Sequence, residues 1–148
     1  MKAKSLILTV AAALSLAGFS TAVAASVSGS TVSTAKTGLG RVIVNGRGHT
    51  LYLFEKDKRG KSMCSGACAA YWPPLITHGK PMAAGGAKQS LLGTIKRSNG
   101  ARQVTYAGHP LYTYLLDTRR GQTSGEGSTL FGAGWDALTP AGKKIESD

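Results

Sequence analysis

The chain has 148 residues, 42% of them hydrophobic, and carries 18 Lys and Arg against 7 Asp and Glu, a formal charge of +11. That length suits a single domain behind a leader, and no stretch beyond the N-terminus is long and apolar enough for the roughly 20 residues a bilayer span needs. G-x-S-x-G, H-E-x-x-H and a Gly-rich phosphate loop are all missing, as are the usual nucleic-acid-binding motifs, which sets aside the commonest hydrolase, nucleotide-binding and nucleic-acid-binding classes.

Lys2 and Lys4 open the chain, residues 5–17 are apolar, and Ala22-Val23-Ala24 is a small-x-small cleavage site. This pattern predicts a secretory signal peptide over residues 1–25, cut after Ala24 or Ala25, and hence a periplasmic or extracellular protein. Leu16-Ala17-Gly18 resembles the start of a lipobox, but Phe19 stands where lipidation needs a cysteine, so no lipid anchor is expected. Loss of the leader with its two lysines lowers the charge from +11 to about +9. A basic exported protein is drawn to anionic partners such as an envelope surface or polymer.

Residues 26–38 are small and polar and read as a flexible lead-in. The folded part then starts near Leu39 and runs to the end as one β-rich domain. Residues 41–44 read as a strand and 45–48 (NGRG) as a turn. Residues 49–54 read as a second strand, with Leu51 and Leu53 on one face and Tyr52 and Phe54 on the other. Both faces are apolar, so this strand should be buried on both sides. Residues 67–71 are Ala-rich and predict one short helical turn, ended by Pro73-Pro74. Residues 78–89 read as loop. Strands are expected at 93–97, 102–106 and 109–115, with tight turns at 98–100 and 107–108, and a last strand at 135–138.

One stretch occurs twice. Residues 48–59 and 108–119 are identical at six of twelve positions at an offset of 60: Gly48/Gly108, His49/His109, Leu51/Leu111, Tyr52/Tyr112, Asp57/Asp117 and Arg59/Arg119. Phe54 and Tyr114 form a further aromatic pair. Trp72 and Trp135 lie 63 apart. The expected fold is therefore mainly β, two tandem antiparallel units (about 39–78 and 90–146) forming one compact domain, with one helical turn near the cysteines.

Tyr52-x-Phe54-x-x-Asp57 and Tyr112-x-Tyr114-x-x-Asp117 fit the Y-x-[FWY]-x-x-D pattern of the bacterial "secreted repeat" predicted lipoproteins. The segments Cys64-x-x-x-Cys68-Ala69-x-x-Trp72-Pro73-Pro74, Gly108-His109-Pro110-Leu111-Tyr112 and Phe131-Gly132-x-Gly134-Trp135 resemble the same family. The resemblance covers about residues 39–145. It implies an exported bacterial protein built of tandem repeats and no particular activity, because the family's function is unknown.

The repeated tyrosine, aromatic and aspartate read first as a strand-and-turn signature. The functional alternative is a ligand cleft where the two copies face each other. Cys64 and Cys68 read as one structural disulfide in an oxidising compartment. With Met63, His78 and Met82 near them in sequence, the alternative is a soft donor set for copper, or a thiol-redox pair. His49 and His109, equivalent by repeat, are a further candidate metal pair. No resident cofactor and no enzymatic step are expected. The preferred reading is a non-enzymatic binding or envelope-associated module.

Overall fold

A computed structural model of the chain describes residues 28–146 together with Gly18, Ser20 and Ala22. The signal peptide over 1–25, its cleavage site and Phe19 fall essentially outside the described residues. No described helix is long and apolar enough to cross a membrane.

The protein is mainly β. Strands β1 (Thr31–Thr37) and β2 (Gly40–Asn45) form a hairpin, followed by β3 (Tyr52–Phe54), the short helix α1 (Ala67–Tyr71) and β4 (Met82–Ala83). A second hairpin, β5 (Leu92–Lys96) and β6 (Arg102–Tyr106), leads into β7 (His109–Pro110), and β8 (Trp135–Ala137) comes last. All pairings are antiparallel except β1 with β4, where Thr31 faces Met82 and Val32 faces Ala83.

The reading of residues 26–38 as a flexible lead-in is corrected over most of its length. From Thr31 that segment is a strand, paired with β2 from Val32↔Asn45 to Thr37↔Gly40. Its Val32 is fully buried. β1 is the partner in the first repeat of β5 in the second, where Leu92 faces Tyr106. Ser and Thr there are β-branched or small residues on a half-covered hairpin, not linker. Residues 78–89 are not all loop either, since β4 extends the first sheet. The two repeat strands are shorter than expected: beyond β3 and β7, the chain pairs through isolated bridges such as Tyr52↔Tyr112 and Pro74↔Tyr112.

Two apolar clusters lie on opposite faces of the β2–β3 layer. Val42, Val44, Tyr52, Phe54, Trp72, Tyr112, Trp135 and the two cysteines form one. Ile43, Leu51, Leu53, Val104, Tyr106, Leu111 and Leu138 form the other with Val32. The alternation of Leu51, Tyr52, Leu53 and Phe54 between the clusters is the period-2 geometry of a strand buried on both faces.

The repeats exchange partners. β3 of the first pairs with β8 of the second, Phe54 facing Trp135. In the reverse direction Thr113 N–H donates to Pro73 O and Leu115 N–H to Tyr71 O, both at 2.9 Å. Tyr52 N–H donates to Tyr112 O at 2.8 Å and Tyr112 N–H to Tyr52 O at 3.0 Å. That reciprocal pair marks a pseudo-twofold axis.

Candidate functional site

The repeated motif meets itself at this axis. Tyr52 Oη–H donates to Asp117 Oδ2 at 2.5 Å, and Tyr112 Oη–H donates to Asp57 Oδ2 at 2.7 Å. The tyrosine of each copy thus serves the aspartate of the other. Each aspartate also accepts a backbone N–H from its own turn, Met63 to Asp57 Oδ1 at 2.6 Å and Ser124 to Asp117 Oδ1 at 2.9 Å. Burial and the facing carboxylates push both phenols well above the ordinary tyrosine range. Burial also raises Asp57, against the hydrogen bonds from Met63 and Tyr112. These tyrosines are held neutral as hydrogen-bond donors.

The aromatic members close the axis. Tyr114, Trp72, Trp135 and Phe54 form a four-ring stack with centroid spacings of 4.2, 3.9 and 4.1 Å. Tyr52 meets Trp72 edge-on at 5.4 Å, and Tyr112 meets Trp135 edge-on at 5.2 Å. Offset and edge arrangements of this kind stabilise a core beyond the area they bury. The ligand cleft considered for the pseudo-twofold is therefore corrected: Trp72 and Trp135, both fully buried, occupy that space.

Cys64 and Cys68 are joined in a disulfide with Cα atoms 5.2 Å apart. The bridge is compatible with a four-residue separation because Cys64 precedes α1, and Gly66 at φ 58° turns the chain into the helix. Both cysteines are buried. Arg97 ties the loop to the core. Its Nη2 donates to Cys64 O at 2.6 Å, and its Nη1 donates to Ser62 Oγ at 2.9 Å and Gln103 Oε1 at 2.6 Å. Ser62 Oγ lies 2.6 Å from Tyr112 Oη, so a continuous chain runs from Arg97 through Ser62 and Tyr112 to Asp57.

The copper donor set is dispersed. The two sulfurs bind each other, and Met63 and Met82 are exposed, Met82 on β4. His78 lines one hollow with Lys80 and Arg102, whereas Cys64 lines another. The physical reason is the run after Trp72: Pro74 pairs with Tyr112 and Ile76 with Gln103, which carries the chain along the sheet before His78 is reached. His109 lies beside Arg59, and burial first and that guanidinium second lower its pKa. His49 sits on the other repeat's turn, its N–H donating to Asn45 Oδ1 at 3.0 Å. Among the described residues no three His, Cys, Asp or Glu side chains converge.

What remains accessible is positive charge. Every described lysine and arginine except Arg97 is exposed. Of the described acids, only Glu55 and Glu146 are exposed, and Glu55 pairs with Lys144 at 2.6 Å. The others are turned inward: Asp57 and Asp117 hold tyrosines, and Glu126 accepts Ala137 N–H at 2.6 Å. Two hollows flank the β5–β6 hairpin. One of about 510 Å³ has His78, Lys80, Thr94 and Arg102 in its wall. The other, of about 600 Å³, has Lys61, Ser62, Lys96 and Arg97. No acidic residue lines either.

Near the turn of each hairpin like charges also stand directly opposite one another, Lys36↔Arg41 on β1–β2 and Lys96↔Arg102 on β5–β6. Such a cross-strand pair costs a few tenths of a kcal/mol or more by itself. Both repeats carry such a pair beside the hairpin turn, Lys96 at the repeat offset of 60 from Lys36 and Arg102 one residue beyond that offset from Arg41. These pairs were readable by counting back from the turns, but Arg97, Ser62 and Gln103 gave no sequence signal, because their network joins separate segments.

A family model described as a secreted repeat of unknown function matches residues 33–76 and 93–139, more than half of the chain. The first match begins inside β1, in agreement with the strand there. No curated protein and no solved structure matches the chain.

Proposed function

The chain belongs to the family of secreted repeats of unknown function, and from that premise we propose that it is a non-enzymatic module, exported behind a cleaved leader without a lipid anchor, that binds anionic surfaces or polymers of the cell envelope. The partition of charge carries this reading. Four of the six described acids are buried or half-buried, while every described lysine and arginine except Arg97 faces outward, and like charges stand opposite one another near both hairpin tips. An array of that kind attracts polyanions over distances of the order of the Debye length, about 8–10 Å in physiological salt. The conspicuous polar residues of the repeat motif support the non-enzymatic part. Tyr52, Tyr112, Asp57 and Asp117 hydrogen-bond each other across the axis, and burial keeps the tyrosines protonated.

The test is binding to polyphosphate as a soluble probe, across a salt series. Affinity should fall steeply with salt concentration, and Lys96→Glu with Arg102→Glu should weaken binding about ten-fold or more without loss of fold. Affinity independent of salt would overturn the reading. Intact mass of the protein recovered from cells tests export: the expected species starts at Ala25 or Ser26, lacks two hydrogens and carries no acyl group.

A further inference from the structure

Among the large apolar side chains that stay exposed, five gather at one place. Tyr71, Leu115, Leu116, Leu130 and Phe131 are 46%, 52%, 59%, 45% and 37% exposed. The Tyr71 and Phe131 rings lie 5.9 Å apart, and Leu115 N–H donates to Tyr71 O at 2.9 Å. Leu116 and Leu130 adjoin these in sequence. The patch therefore runs from the end of α1 to the turn before β8.

The fold does not require an apolar surface there, and its own symmetry supplies the comparison. At the other end of the axis Glu55 and Lys56 stand where Leu115 and Leu116 stand, and Gly134 where Tyr71 stands. The same backbone bond is made, Glu55 N–H to Gly134 O at 2.9 Å. That end is polar, with Glu55 in an ion pair to Lys144. One architecture thus carries a charged surface at one end and leucines and aromatics at the other.

The tip of the patch is strained. Gly132 N–H donates to Thr129 O at 3.3 Å, closing a turn whose central residues are Leu130 and Phe131. Phe131 sits at φ 68°, a left-handed position that ordinarily falls to glycine or asparagine. An exposed phenylalanine in that conformation works against stability twice, through its backbone and through its hydration. Backbone outliers of this kind cluster at binding and active sites.

We infer that this patch is a membrane contact, inserting Leu130 and Phe131, with Leu115, Leu116 and Tyr71 behind them, into the interface of a bilayer bearing anionic headgroups. The inference rests on the cationic-module reading above and specifies its partner. Two arguments select a lipid surface. Five side chains are far fewer than the roughly 20–30 residues a side that a stable protein interface takes. A bilayer interface accepts leucine, phenylalanine and tyrosine without a complementary shape, and anionic headgroups add attraction for the outward-facing lysines and arginines of the molecule.

The experiment is co-flotation with vesicles of phosphatidylcholine alone or mixed with phosphatidylglycerol, with polyphosphate binding measured in parallel. Wild-type protein should float with the mixed vesicles. Leu130→Ser with Phe131→Asn should weaken flotation about ten-fold or more, with polyphosphate affinity unchanged and the melting temperature unchanged or raised, since asparagine tolerates the left-handed position. Leu116→Ser should weaken flotation as well, and Lys56→Ser, at the polar end, should have little effect. Wild-type protein that binds polyphosphate but ignores vesicles would overturn the inference and leave the cationic reading standing. So would patch variants that float like wild type, or a self-association that the same variants abolish, which would assign the patch to a second copy. Protein that binds neither probe would remove the reading and the inference together.

Discussion

At the scale of single residues, the two tyrosines of the repeat are equivalent in sequence and unequal in setting. Asp117, served by Tyr52, is buried, while Asp57, served by Tyr112, is half-buried. Tyr52→Phe therefore strands a carboxylate oxygen away from water and should cost about 2–3 kcal/mol, the worth of a hydrogen bond to a charged group. Tyr112→Phe should cost less, because water can reach Asp57. Chemical denaturation of both variants checks the order. Asp136 gives a pH-dependent prediction. Its Oδ2 is buried with no hydrogen-bond partner among the described residues, and burial, then the charges of Glu126 and Glu55, push its pKa up to about 6 against the pull of Lys144. The unfolded value is about 3.9. Between the two the folded protein binds a proton that the unfolded chain has lost, so this residue's contribution to stability falls as pH rises from about 4 to about 6. Asp57, also raised by burial, acts in the same sense, whereas Glu55, lowered by the Lys144 hydrogen bond, acts in the opposite one. Asp136→Asn should flatten its share of that slope and raise stability near neutral pH by about 1 kcal/mol after solvent screening is allowed for. Urea unfolding at pH 5 and pH 7.5 distinguishes the two states.

At the scale of elements, much of the fold was legible because the local signals agreed with one another. Residues 102–106 pair as a strand, residues 67–71 form the helical turn, and Ala107-Gly108, at φ 50° and 84°, make the tight turn before β7. The double-sided apolar pattern of 51–54 predicted a strand between two clusters, which is where β3 lies. β1 is legible only through the repeat, since its Ser- and Thr-rich composition by itself resembles a linker. A strand at residues 93–97, moved back by the offset of 60, falls on 33–37, within the Ser- and Thr-rich stretch read as a lead-in. The exchange of tyrosine and aspartate between repeats could not be read, because a motif states spacing within a copy and not which copy it faces. β1 also gives a prediction. A chain beginning at Leu39 loses the ladder to β2, the fully buried Val32 and the parallel contact with β4. It leaves β2 as an uncovered edge next to buried Val42, Ile43 and Val44, an invitation to edge pairing. Such a chain should be destabilised by about 3 kcal/mol or more and prone to aggregate. Thermal melting and size-exclusion chromatography against a chain beginning at Ser28 test this.

At the scale of the whole molecule, the two repeats are copies in sequence and halves in structure. The repeated strand of each copy has one partner within its own repeat and one in the other: Thr50 bridges Val44 and β7 pairs with β6, while β3 pairs with β8 and Tyr112 bridges both Tyr52 and Pro74. The stack Tyr114–Trp72–Trp135–Phe54 alternates between repeats along its whole length, each of its three contacts joining one repeat to the other. Ile43 N–H donates to Leu138 O at 2.9 Å and Val104 N–H to Leu75 O at 2.8 Å, so each hairpin is also bonded to the other repeat's terminal segment. An isolated half would expose that strand edge and half of an aromatic core, which a chain of its size has little other burial to offset. In a solenoid array, by contrast, each repeat would contact only its neighbours and stability would build up along the chain. The two cases separate by experiment. Fragments 28–86 and 87–148, produced separately, should each lack near-ultraviolet circular dichroism from fixed tryptophans. Mixed, they should recover it and co-elute as one complex, since every bond across the axis can form without a covalent link. A fragment that folds and melts cooperatively alone would mean that the crossed pairing joins two units already stable by themselves.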